Sequence, residues 1–98
     1  MIIYVDIDNT ICSTPETAEY WKAKPLYDRI AKMNDLYNQG HKIVYWTARG
    51  TTTGRDWKEL TIKQLDSWLV KYHEIRSGKP QYDLFIDDKN IKTEDFFR

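Results

Sequence analysis

Ile2-Ile3-Tyr4-Val5-Asp6-Ile7-Asp8-Asn9-Thr10 is the stretch whose reading decides the fold. An apolar run of strand-forming residues leads straight into two carboxylates at i and i+2, which leave the same face of the backbone where the strand stops. Such a placement builds no core, because carboxylates are seldom buried unless paired or bound to a cation. Two of them a few ångströms apart also repel, which drives their protonation equilibria apart. A divalent cation such as Mg²⁺ resolves that conflict.

A second acidic ending repeats the arrangement. Tyr82-Asp83-Leu84-Phe85-Ile86 reads as another buried strand and terminates in Asp87-Asp88. If the two strands lie side by side and parallel, their carboxylates converge at the carboxyl edge of one sheet, where open α/β sheets bind ligands. A lone Asp-x-Asp is as readily a solvated turn or a helix cap; two such endings together argue for a site.

Between these ends, strands and helices alternate. Residues 2–7 form the first strand, apolar as a strand covered on both faces should be. Residues 11–24 are a polar connection containing Pro15, and Pro25 suits the first turn of a helix. Leu26, Ile30, Met33 and Tyr37 make its apolar stripe, and Gly40 ends it. Ile43-Val44-Tyr45-Trp46 is the next strand, stopping at Thr47-Ala48-Arg49-Gly50. A helix over 56–72 follows, with Ile62, Leu65, Leu69 and Tyr72 at helical spacing and Trp68 beside them. A short strand at 73–76 and a turn at Ser77-Gly78-Lys79-Pro80 lead to the strand at 82–86, and Thr93 is placed to cap a last turn carrying Phe96 and Phe97. The alternation predicts an α/β domain with a parallel sheet and right-handed crossovers.

Bulk properties exclude several classes. The 98 residues make one domain, 1–98, with no repeat, linker or low-complexity tract. Lys plus Arg equals Asp plus Glu at 15 each, so no net field attracts nucleic acid or an anionic membrane. No stretch is long and apolar enough to span a bilayer, and Asp6 and Asp8 interrupt the N-terminal apolar run too early for a signal peptide. The single cysteine, Cys12, has no internal disulfide partner; it reads as a packing residue in a reducing compartment, and the expected location is cytoplasmic. His41 and His73 read as structural or surface groups.

Four strand-end signals stand in order: Asp6-x-Asp8-x-Thr10, Thr47, Lys79 and Asp87-Asp88. This series resembles the haloacid dehalogenase (HAD) superfamily of phosphatases, and the likeness covers nearly the whole chain. Within it, the strings DIDNTIC, TARG, GKPQYD and IDDK are most similar to small phosphatases associated with capsule and lipopolysaccharide biosynthesis. The resemblance implies a three-layer Rossmann-like fold. With only 10 residues after Asp88, an outer strand is not expected, which leaves about four strands in the order 3-2-1-4. It implies Asp6 as nucleophile forming an aspartyl-phosphate and Asp8 as acid and base, with its backbone carbonyl on the metal. Mg²⁺ is the implied cofactor, with Asp6 and Asp88 the first-choice side-chain ligands and Asp87 either binding through water or orienting Lys79; sequence alone leaves open which of Asp87 and Asp88 touches the ion. Thr47 would bond a phosphoryl oxygen and Lys79 would offset the concentrated charge. Thr10, Ala48 and Arg49 fall to substrate binding, with capping an equal alternative for Arg49.

The gaps between motifs leave no room for a cap domain, so this looks like a capless member. Water exclusion then falls to the substrate, to a neighbouring subunit in a homo-oligomer, or to local loops such as Tyr20-Trp21 and the segment 51–57. The expected activity is Mg²⁺-dependent hydrolysis of a phosphomonoester on a small metabolite such as a sugar phosphate. Competing readings are a phosphatase of nucleotides, nucleic acid ends or phosphoproteins, a phospho-acceptor signalling module, and a binding protein that kept the fold without catalysis.

Overall fold

The computed structural model describes all 98 residues, Met1–Arg98. In chain order it comprises β1 (Ile2–Val5), β2 (Cys12–Ser13), a 3-10 turn (Tyr20–Lys22), β3 (Lys24–Pro25), α1 (Tyr27–Asn38), β4 (Lys42–Trp46), α2 (Lys58–Ser67), β5 (Glu74–Arg76) and α3 (Thr93–Phe96). The apolar, β-branched and aromatic runs give β1 and β4, and with the short β5, Glu74-Ile75-Arg76, they form one parallel sheet in that order. Register places Ile3 beside Ile43, and Val5 beside Tyr45 beside Ile75, so these residues share one face.

That face carries the core. The crossovers step the same way, β1 to β4 to β5, and at the one hand that parallel connections take this puts both connecting helices on one side of the sheet. Ile30 and Met33 of α1 and Leu65 of α2 accordingly pack with Val5, Ile43 and Tyr45 in one cluster, joined by Ile7, Ile11, Cys12, Trp68 and Val70. Each large side chain buried there contributes roughly 1.5–3 kcal/mol.

The opposite face carries no helix from this cluster. Tyr4 meets Trp46 edge to face at 5.9 Å, Arg76 Nη1 donates to the Tyr4 hydroxyl at 2.6 Å, and Lys42 pairs with Glu74 at 2.9 Å. This mat of rings and charges shields Val44, yet Ile2 stays 68% exposed. The arrangement has two layers here, sheet and helices, instead of the three that the sequence suggested.

The strand foreseen at 82–86 does not form. No backbone hydrogen bond joins this segment to β1, and Leu84 and Ile86 are 73% and 86% exposed. Chain reach explains why. A fourth strand parallel to β1 must start at the amino edge, and parallel neighbours need a crossover of roughly a dozen residues or more. Only residues 77–81 follow β5, and the Lys79 N–H is held at the carboxyl edge by the Thr47 carbonyl at 3.1 Å. Pro80 and Gln81 span ~7 Å at full extension, less than half the return along a five-residue strand.

Three smaller departures have local causes. The connection at 11–24 contains a ribbon, with Cys12 opposite Pro25 and Ser13 opposite Lys24, so Pro25 closes β3 and α1 begins at Tyr27. Helix α2 stops at Ser67, because Leu69 turns left-handed at φ 60° and the Val70 N–H bonds back to the Leu65 carbonyl at 2.9 Å. Its buried face is Thr61, Gln64 and Leu65, while Leu69 is 76% exposed. Thr93 begins α3 without capping it; its hydroxyl pairs with that of Thr10 at 2.8 Å.

Candidate functional site

The chain leaves the sheet after Val5, Trp46 and Arg76 at a common edge, and the three exits surround an open cleft of about 560 Å³. Asp6, Asp8, Glu16, Arg49 and Lys79 supply its charged lining, with Thr14, Tyr20, Ala48 and Tyr82 among the rest. Placement follows from local backbone. Asp6 and Asp8 straddle the buried Ile7, whose carbonyl accepts the N–H groups of Thr10 and Ile11 at 3.1 and 3.0 Å. The turn this makes needs a left-handed residue, and Asn9 takes φ 61°, a conformation asparagine tolerates well.

Asp6 keeps most of its acceptor capacity. Lys79 Nζ, 3.5 Å from Oδ1, is its one side-chain partner. The side chain retains 39% of its exposure and is otherwise covered. This burial pushes the Asp6 carboxyl above the ordinary carboxylate value; Lys79 and the Ile7 N–H pull it back, and the Asp8 charge adds to the rise.

Asp8 is held on both oxygens. Arg49 Nη2 donates to Oδ1 at 2.8 Å and Nε to Oδ2 at 2.9 Å, a bidentate fork, while the Thr14 hydroxyl donates to Oδ1 at 2.6 Å. Arg49 is itself enclosed, its side chain 1% exposed. Nη1 donates to Thr61 Oγ1 at 3.1 Å and Gln64 Oε1 at 2.6 Å, and the Tyr20 ring covers the guanidinium at 4.8 Å. Gln64 Nε2 then donates to the Tyr20 carbonyl at 2.7 Å. These bonds explain why α2 buries two polar residues where an apolar stripe was foreseen.

The structure brings Asp6, Asp8, Ala48, Arg49 and Lys79 to the cleft. Thr47 lies behind it: the residue is 3% exposed and its hydroxyl accepts the Arg49 N–H at 3.0 Å. Thr10, 5% exposed, points at Thr93 instead of the opening. Asp87 and Asp88 are exposed and lie outside the cleft lining, with Asp87 Oδ1 accepting the Lys89 N–H at 2.9 Å. No group of three or more Asp, Glu, His or Cys side chains is close enough to hold a metal. The two acidic pairs are separate in this chain because the segment bearing the second cannot turn back along β1. Sequence reasoning missed Thr14, Thr61 and Gln64; a threonine and a glutamine three apart on a helix with few apolar residues were the available signal.

Cys12 is fully buried, with Sγ near Thr14 Oγ1 at 3.4 Å and Asp8 Oδ1 at 3.8 Å. Burial raises its thiol above the ordinary value, so it packs as a neutral group.

No family model and no curated protein matches the sequence. The chain is similar to a crystal structure of a structural-genomics target from Vibrio cholerae, with 27% identity over 98% of this chain and 86% of that one, and a TM-score of 0.87. The likeness supports the compact α/β fold over nearly its full length.

Proposed function

We propose that the chain is a phosphomonoesterase of the haloacid dehalogenase type, acting on a small phosphorylated metabolite such as a sugar phosphate. The observation that carries this reading is Asp6, a carboxylate at the carboxyl edge of the sheet that faces an open cleft with Lys79 as its one side-chain partner. A carboxylate so placed is free to attack. An Asp6 oxygen bonds to phosphorus as the ester P–O bond breaks, and the leaving oxygen takes its proton from the Asp8 carboxyl. Water then attacks the phosphorus of the acyl phosphate, releasing phosphate and restoring the carboxylate. Asp8, whose carboxyl group Arg49 and Thr14 hold in place at the cleft, recovers its proton from that water. Lys79 supports the negative charge that develops on the phosphoryl oxygens.

Lining charge argues for a cation. Asp6, Asp8 and Glu16 face only Arg49 and Lys79, and Arg49 is committed to Asp8. A phosphate dianion entering alone meets a net negative wall. Mg²⁺ is bound through one or two carboxylates plus substrate phosphate and water, so Asp6 is a fitting but incomplete donor set. In this reading the ion would neutralise phosphoryl charge. The motif likeness assigns Asp87 and Asp88 to the same ion, with the fourth strand that would carry them.

The test is phosphate release from aryl and sugar phosphates with Mg²⁺, with and without EDTA. Asp6→Asn should abolish turnover, and acid quenching should trap a labelled acyl phosphate on the native chain only. Turnover that survives Asp6→Asn removes the nucleophile and with it the proposal. A long-lived acyl phosphate without turnover would mark a phospho-acceptor instead.

A further inference from the structure

Lys79 stands on a stretch without regular structure, since β5 ends at Arg76 and the next element begins at Thr93. No strand ladder fixes its ammonium group. Gly78, just before it, holds φ 82° with open space where a Cβ would stand, so the backbone there turns freely. Pro80, just after it, favours an extended Lys79 but ties it to nothing. Two hydrogen bonds hold the Lys79 backbone, and both come from the exit of β4. Its N–H donates to the Thr47 carbonyl at 3.1 Å, and its carbonyl accepts the Thr51 hydroxyl at 2.8 Å. Thr51 is itself placed by a tight turn: its N–H donates to the Ala48 carbonyl at 3.0 Å, and the Gly54 N–H closes the following turn on the Gly50 carbonyl at 2.8 Å.

We propose that Thr51 is a positioning residue for phosphoryl transfer, its hydroxyl fixing the Lys79 backbone so that the ammonium group stays against Asp6. The motif series gives Thr51 no part, and the residue lies outside the cleft lining. With both backbone groups clamped, the flexible stem of Lys79 starts from one fixed point, which leaves Nζ 3.5 Å from Asp6 Oδ1 and the side chain 14% exposed. With the Thr47 bond alone, the carbonyl side of Lys79 is free to swing, and the stem can carry its charge out to water. A small misplacement of a charged group costs catalysis far more than one exposed hydrogen bond costs folding. Because Thr51 is exposed and outside the core, loss of its hydroxyl should act on rate and leave melting nearly unchanged. The catalytic consequence rests on the phosphomonoesterase reading; the anchor does not.

Thr51→Val removes the hydroxyl at nearly constant shape, and Thr51→Ser keeps it. With the full-length chain, Mg²⁺ and an aryl phosphate, the Val variant should lose about tenfold in kcat with KM changed less than about threefold. Its melting temperature should stay within about 2 °C of the native value. The Ser variant should regain kcat to within about twofold. Amide exchange followed by NMR should show the Lys79 N–H exchanging at least about fivefold faster in the Val chain and at the native rate in the Ser chain. A Val chain with native kcat, or a Ser chain as impaired as Val, overturns the positioning role. So does a Val chain that melts well below the native protein, which would make Thr51 a structural residue. If the native chain releases phosphate from no ester, the phosphatase reading fails, and exchange decides the anchor alone: faster Lys79 exchange in Val upholds it and unchanged exchange overturns it.

Discussion

Arg49 carries the heaviest duty of any single residue. With four N–H donors committed to Asp8, Thr61 and Gln64, it works as a strut between the Asp8 turn and α2, and Tyr20 is tied to the same strut through Gln64. Removing the guanidinium leaves Asp8 without its fork and takes a donor from the Thr61 hydroxyl and from Gln64 Oε1; those two side chains keep only their bonds to the Trp57 and Tyr20 carbonyls. Arg49→Met should therefore cost ~3–5 kcal/mol of stability. Arg49→Lys keeps the charge but not the fork; its kcat should fall ~100-fold, as misplaced catalytic groups do, with KM changed less than about threefold. A KM that rises tenfold at constant kcat would instead make Arg49 a substrate contact.

Asp6 has an opposite effect on stability. Its folded carboxyl titrates above the ordinary value, so between the two values the folded chain holds a proton that the unfolded chain has lost. Stability thus falls as pH climbs through that window and stays lowered above it. Asp6→Asn removes the penalty. At pH near 7, without divalent metal, the variant should melt higher, by less than about 1 kcal/mol because solvent screens a side chain that is 39% exposed. Melting curves of both proteins from about pH 3 to 8 check the sign; a lower-melting Asn variant at neutral pH would mean that the Lys79 contact outweighs desolvation.

At the scale of elements, β1, β4 and α1 were legible because each announces itself by period: continuous apolar runs for the strands and a four-residue stripe for α1. The end of α2 was not. Leu69 fits an apolar helical stripe, but the backbone there is left-handed, and the residue that looked like core is the exposed turn that stops the helix. Period cannot reveal this, since a Schellman-type ending needs only a positive φ, which glycine takes without strain. Leu69→Gly should consequently stabilise the fold by about 1 kcal/mol, read as a higher denaturant midpoint with unchanged slope. Gly50 illustrates the converse. It holds φ 81°, and a Cβ there would run into the Arg55 carbonyl and touch the Trp57 ring. Gly50→Ala should open the loop at 50–55 and loosen the Arg49 strut that leads into it; loss of the native tryptophan fluorescence from Trp57 would report this.

At the scale of the whole molecule, the candidate site was half legible. The edge where Asp6, Ala48 and Lys79 meet follows from strand order alone, because parallel strands bring their carboxyl ends together. The position of Asp87-Asp88 does not, since it depends on the distance a connection must cover, and residue types carry no record of that distance.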